Sequence, residues 1–67
     1  MTLATKLKAY RKEAGLSQGA LARESGLNFV TIWKIEHQRI LSPRIDTLHK
    51  IMAVLRKHGV DPTELLT

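Results

Sequence analysis

The stretch that decides the fold is QGALARESGLNFVTIWKIEH, residues 18–37. The small residue Ala22 lies where one helix would press closely on another, and Gly26 suits a turn with a left-handed backbone. The segment after the turn carries three inward apolar residues, Leu27, Ile32 and Ile35. The stretch therefore predicts two short helices that cross at a tight turn.

Two helices joined in this way form a helix-turn-helix, a motif whose second helix enters the major groove of duplex DNA. The charge of the chain agrees with an acidic partner, because 11 Lys and Arg residues face 6 Asp and Glu residues and give a net charge of +5. The electrostatic field of a positively charged protein attracts a polyanion. Charge alone leaves open a basic surface that serves only solubility.

Capping residues and apolar spacing predict five helices and no strand, so the expected fold class is all-α. The predicted N-caps are Thr2, Ser17, Asn28, Ser42 and Asp61, and the predicted helix-ending glycines are Gly15, Gly26 and Gly59. The fourth helix is expected to begin at Ser42-Pro43, and the last to be about one turn long. Its expected inward residues are Ile45, Leu48, Ile51, Met52 and Leu55.

Length and composition limit the other properties of the chain. Its 67 residues predict a single domain, residues 1–67, with a small core that a partner subunit would support. The absence of cysteine excludes disulfides and thiolate metal sites. No apolar run approaches the roughly 20 residues of a membrane span, and the N-terminus lacks a signal peptide, so we expect a soluble, cytoplasmic protein.

From Leu16 through Glu36 the sequence resembles the Cro/C1-type helix-turn-helix family, the lambda-repressor-like or XRE domains. The resemblance extends over nearly the whole chain, and its other matches are Leu3, Leu7, Arg11, Pro43, Thr47-Leu48, Ile51, Gly59-Val60 and Glu64-Leu65. It implies a compact five-helix domain that binds double-stranded DNA as a homodimer and regulates transcription, as a repressor. It also implies a pair between Arg11 and Glu36.

One departure from the family concerns the segment after the third helix. The family usually has glycine soon after the position of Glu36, whereas this chain has His37-Gln38-Arg39. The shape of the following loop is therefore left open by the resemblance.

Ten residues are candidate DNA contacts: Gln18, Asn28, Phe29, Val30, Thr31, Trp33, Lys34, His37, Arg39 and Arg44. Gln18 begins the second helix, where its side chain and the first backbone N–H groups suit a phosphate. By resemblance, Phe29, Val30 and Lys34 occupy positions that touch base edges. Lysine can donate to guanine, whereas the two apolar side chains can read only thymine methyls and shape.

The remaining candidates have less specific roles. Asn28 and Thr31 suit a phosphate or a base, and the charged loop residues Arg39 and Arg44, with Lys34 and His37, suit the DNA backbone. A solvated charged surface is the alternative for each. For Trp33 three alternatives are open: a place in the core, a place beside the DNA, or packing against Phe29.

The sequence gives no sign of an enzyme. The three histidines lack helical spacing for a metal site, and no nucleophile motif or phosphate-binding loop is present, so no catalytic residue, metal or cofactor is predicted.

The rival function is an interaction module that uses the apolar face of Phe29, Val30 and Trp33, for example an antitoxin that binds a toxin as well as DNA. The end of the chain at Thr67, without an extra segment for toxin capture, counts against that alternative. The expected homodimer surface is the end of the fourth helix with Val60, Leu65 and Leu66. The alternative is that these residues close the core of the monomer.

Overall fold

A computed structural model describes residues 2–66 and shows an all-helical chain. Its four α-helices are α1 (Leu3–Glu13), α2 (Gln18–Ser25), α3 (Phe29–Glu36) and α4 (Ile45–Lys57), and a 3₁₀ helix follows at Thr63–Leu66. The all-α class is confirmed. The count of five α-helices is not, because the last segment is a single 3₁₀ turn. No helix within residues 2–66 has the length and apolarity needed to cross a bilayer.

The first three helices begin at the predicted caps. The side-chain oxygens of Thr2, Ser17 and Asn28 accept backbone N–H groups of Thr5, Ala20 and Val30 at 3.2, 3.0 and 2.8 Å. Each cap satisfies a donor that the first turn of a helix leaves without an intrahelical partner.

The start of α4 differs from the prediction. The helix begins at Ile45, and its N-cap is Arg44, whose extended backbone (ψ 151°) makes no side-chain capping bond. Ser42-Pro43 therefore lies in the preceding loop, and the prediction of a cap at Ser42 is wrong. Ile45 was also expected inside but is 58% exposed, and the buried face of α4 begins at Leu48, which is 8% exposed.

The core lies between the three N-terminal helices and α4. Helix α3 packs against α1 and α2, α2 packs against α4, and the 3₁₀ turn packs against α1 and α4. The fully or nearly buried residues of the cluster are Leu7, Leu21, Ala22, Ile32, Ile35, Ile51, Met52, Val54, Leu55, Val60 and Leu65. Since Val60 and Leu65 close this core, the two residues are not available to the predicted dimer surface. Leu66 remains 49% exposed.

Two polar contacts fasten the C-terminal part to the first two helices. His58 Nε2 lies 2.8 Å from Glu24 Oε1, and this hydrogen bond lowers the pKa of the Glu24 carboxyl. Near the C-terminus, Lys6 Nζ donates to the backbone oxygen of Glu64 at 3.1 Å. The first contact thus joins the end of α2 to the end of α4, and the second joins α1 to the 3₁₀ turn.

The loop after α3 contains a residue in an uncommon conformation. Gln38 has φ +58°, in the left-handed region, and it lies in the segment His37-Gln38-Arg39, where the family resemblance led us to expect a glycine. A Cβ atom makes this region costly by roughly 1–2 kcal/mol, and the cost disappears for glycine.

We expect Gln38→Gly to stabilise the fold by about 0.5–1 kcal/mol, because the relief of the left-handed strain exceeds the added freedom of the unfolded chain. Urea unfolding followed by circular dichroism measures the change. Gln38→Ala is the matched control: it removes the same side chain but keeps Cβ, and should give no gain. Equal stabilisation by both variants would show that the backbone angle is not the cause.

Candidate nucleic-acid interface

The turn between α2 and α3 is a glycine-ended helix followed by a new cap. Gly26 has φ +72°, and the N–H of Leu27 donates to the carbonyl of Ala22 at 2.9 Å. Ala22 has a small side chain that allows the second helix to approach closely, and it is 3% exposed. Asn28 then caps α3 immediately. The predicted crossing of two short helices is confirmed in this geometry.

One face of α3 is buried and the opposite face is open. Ile32 and Ile35 are 0% and 1% exposed, whereas Phe29 and Val30 in the first turn are each 48% exposed. Lys34, in the last turn, is exposed and joins no ion pair among residues 2–66. The outer face of α3 thus combines an apolar first turn with a cationic last turn.

A buried ion pair fixes the far end of α3 to α1. Arg11 Nε and Nη2 donate to the two carboxylate oxygens of Glu36 at 2.7 and 3.0 Å, and Nη1 donates to the Leu16 carbonyl at 2.8 Å. The side chains are 10% and 1% exposed. The pair that the family resemblance implied is confirmed, in the bidentate form that is strongest for arginine.

Gln18 joins this network instead of pointing freely outward. Its Nε2 donates to Glu36 Oε1 at 3.2 Å, and the residue is half-buried. The contact holds the start of α2 against the end of α3. The amide keeps a second N–H, so the phosphate contact expected of Gln18 stays a prediction.

A sequence model of the helix-turn-helix family, of the Cro/C1 type, matches residues 7–64. The chain belongs to the Cro/C1-type helix-turn-helix family. This family binds DNA and is generally non-enzymatic. The comparison with curated proteins returned no match, so the assignment rests on the family and on the geometry above.

The basic residues that are candidate DNA contacts lie close together in the sequence, from the last turn of α3 through the loop that leads to α4. We call Lys34, His37, Arg39 and Arg44 the basic rim; all four are exposed. The loop turns back at once, because the N–H groups of Arg39 and Ile40 donate to the Lys34 carbonyl at 2.8 and 3.2 Å. Arg44 lies 3.6 Å from Asp46, with side chains 87% and 62% exposed, so water screens that pair.

Trp33 lies against a second aromatic side chain, which the sequence pattern alone did not predict. The half-buried indole stacks on the imidazole of His37, with ring centroids 4.1 Å apart and an interplanar angle of 16°. Among residues 2–66 no aromatic ring contact joins Trp33 to Phe29, the partner that one of the three alternatives named. The missed signal is the spacing of Trp33 and His37, since residues four apart are neighbours on a helix surface.

The other candidates lie at the start of α3. Asn28 is exposed, but its side-chain oxygen is engaged in the cap, which leaves its amide N–H groups for other partners. Thr31 is half-buried. Among residues 2–66 no group of three or more His, Cys, Asp and Glu residues is arranged to hold a metal ion.

Proposed function

We propose that this chain is a sequence-specific, double-stranded DNA-binding regulator of transcription, acting as a repressor and as a homodimer. The observation that carries the proposal is the division of α3 between a buried face, held by Ile32 and Ile35, and an open face with Phe29, Val30 and Lys34. A helix that packs on the core with one face and exposes the other can enter the major groove. With this role, the protein would act in the cytoplasm.

We assign base contacts to the open face of α3. Lys34 can donate to guanine O6 and N7 in the major groove. Phe29 and Val30 lack a polar side-chain atom, so their partners are thymine methyl groups. Half of each apolar side chain is already covered, and DNA would remove more of the remainder from water.

Backbone contacts are assigned to the residues around that face. Asn28 and Gln18 lie at the starts of α3 and α2, where N–H donors and the helix dipole favour an anion. Thr31 adds a hydroxyl beside them. The basic rim extends the same surface with positive charge. Such contacts fix the register of the protein on the duplex, whereas the α3 face supplies the sequence preference.

The homodimer is proposed from the size of the core and from exposed apolar side chains. The buried cluster of residues 2–66 is small, and association with a second subunit is a common way to support a small core. Outside α3, the exposed large apolar residues within residues 2–66 are Leu41, Ile45 and Leu66, at 73%, 58% and 49%. A dimer of this motif reads half-sites about 34 Å apart, so its operator should be a near-palindrome.

Selection of bound fragments from random duplex DNA at low salt tests the proposal. The expected result is an enriched, near-palindromic site with thymines at fixed positions in each half. The matched control is Lys34→Ala. If Lys34 reads a base, this variant should lose the sequence preference at one position of the site, and if Lys34 binds phosphate, the preference should be kept at every position. A pool that shows no enrichment contradicts sequence-specific binding.

Replacing the selected thymines by deoxyuridine should weaken binding about fourfold for each methyl that contacts Phe29 or Val30, because burial of one such group contributes about 0.8 kcal/mol. Deoxyuridine keeps base pairing and the other groove atoms. The check is a competition titration of the two duplexes. Val30→Ala is the control: the variant should discriminate less between thymine and uracil. Equal affinity of wild type for both duplexes would rule out methyl readout.

The second candidate function is a protein-interaction or antitoxin-type module, favoured by the same exposure of Phe29 and Val30. A toxin or other protein would then cover the apolar turn. This alternative predicts that Phe29→Ser with Val30→Ser leaves DNA affinity unchanged. If the α3 face contacts DNA as proposed, the double variant should no longer prefer thymine at the selected positions.

A further inference from the structure

The stacked pair at the end of α3 fixes which nitrogen of His37 carries its hydrogen. His37 Nδ1 lies 2.9 Å from the carbonyl oxygen of Trp33, and that same carbonyl also accepts the backbone N–H of His37 at 2.9 Å. A carbonyl oxygen can only accept, so Nδ1 must be the donor. The stacked indole holds the ring in this orientation, with centroids 4.1 Å apart.

The other nitrogen, Nε2, therefore changes character with protonation. In the neutral ring Nδ1 has the hydrogen, and Nε2 presents a lone pair that would repel a phosphate oxygen. In the charged ring Nε2 becomes a second N–H donor. Imidazole side chains change charge between about pH 5 and 8. A phosphate contact through Nε2 is thus possible only for the protonated ring.

The charged groups around His37 leave it available to an external anion. Of the neighbours on α1, α2 and α3, Glu36 is bound by Arg11 and Gln18, and Lys34 is the cation one turn earlier. Beyond the helix, Arg39 is a cation in the loop, and Asp46 pairs with Arg44. No carboxylate among residues 2–66 pairs with His37. A phosphate of the DNA would therefore be the anionic partner that the exposed imidazole of His37 lacks within residues 2–66.

We propose that His37 is a proton-gated phosphate ligand and Trp33 its positioning residue, so that the DNA affinity of this chain rises as pH falls. The inference rests on the proposed DNA binding and deepens it. Binding of DNA takes up a proton at His37 of each protomer. The contact adds one phosphate neutralisation for each protomer, which appears in the salt dependence as well as in the affinity.

The first test measures the dissociation constant for one duplex at about pH 8 and about pH 5.5, with circular dichroism confirming the fold at both. The affinity should increase about fivefold toward acid pH, and the slope of log K against log salt should steepen by about 0.9 for each protomer. His37→Gln should abolish both changes. His49→Gln and His58→Gln, which replace the other two histidines, should retain them.

The second test uses Trp33, the single tryptophan, as a reporter of its neighbour. Protonated imidazole quenches indole emission, so a pH titration of the free protein should follow His37, and the titration should be lost in His37→Gln. Trp33→Ala keeps the carbonyl but removes the stacked ring, and should reduce the affinity ratio between the two pH values.

Each outcome bears on a distinct statement. An affinity that is flat between the two pH values, or a pH effect retained in His37→Gln, overturns proton gating while DNA binding stands. An unchanged ratio in Trp33→Ala overturns the positioning role. Failure to bind duplex DNA at either pH and at low salt contradicts the proposed function itself, and the gating with it.

Discussion

Arg11→Met should destabilise the fold by about 3–5 kcal/mol, because it leaves the carboxylate of Glu36 buried without its cation. That side chain is 1% exposed, and Arg11 supplies two of its three hydrogen bonds. Gln18 alone remains as a donor, and a neutral amide does not offset a buried charge. The loss is measured as the change in free energy of unfolding in urea, at low temperature.

Two further variants separate this cause from simple loss of a side chain. Arg11→Met with Glu36→Leu removes both charges and should recover most of the stability, because a buried ion pair contributes little against an apolar pair. This double variant keeps the prediction testable if the single variant does not fold. Lys12→Met, at the exposed neighbouring position, should change stability by less than about 0.5 kcal/mol. A loss below about 1 kcal/mol in Arg11→Met would contradict the argument.

Local chemistry made the first half of the fold predictable. Thr2, Ser17 and Asn28 are short polar residues before apolar-periodic segments, and each caps the helix expected of it. Gly26 marks the turn because a left-handed residue is needed there and glycine takes that conformation without steric cost. These signals are confined to a few neighbouring residues, so they can be read without knowledge of the tertiary structure.

The same reasoning failed where the outcome depends on distant packing. Ser42-Pro43 has the composition of a helix start, yet Ser42 lies in a bend and the helix begins only after the extended residue Arg44. Val60 and Leu65 have the composition of either a core or an interface. Leu65 is buried in the 3₁₀ turn that packs against α1 and α4, and Val60 belongs to the same buried cluster. For the site, the Arg11–Glu36 pair came from family resemblance, since a contact between α1 and α3 leaves no local pattern.

The DNA affinity of the dimer should fall about 10²-fold between roughly 50 and 200 mM salt. Arg39 and Arg44 are the permanently charged residues of the basic rim that have no base contact assigned to them, and they give two charges in each protomer, which makes two times two, or four, in a dimer. At about 0.9 for each neutralised phosphate, the slope of log K against log salt is about −4. A fourfold rise in salt then lowers the binding constant by about two orders of magnitude.

Charge variants decide whether this dependence belongs to the basic rim or to the net charge of +5. Arg39→Ala should reduce the slope by about 2 for a dimer, because one phosphate contact is lost from each protomer. Lys8→Ala and Lys50→Ala remove the same charge from exposed positions on α1 and α4, outside the rim. Since counterions are released only where a cation meets a phosphate, these controls should leave the slope nearly unchanged. Equal losses in all three variants would mean that diffuse charge, and not the outer face of the helix-turn-helix, holds the DNA.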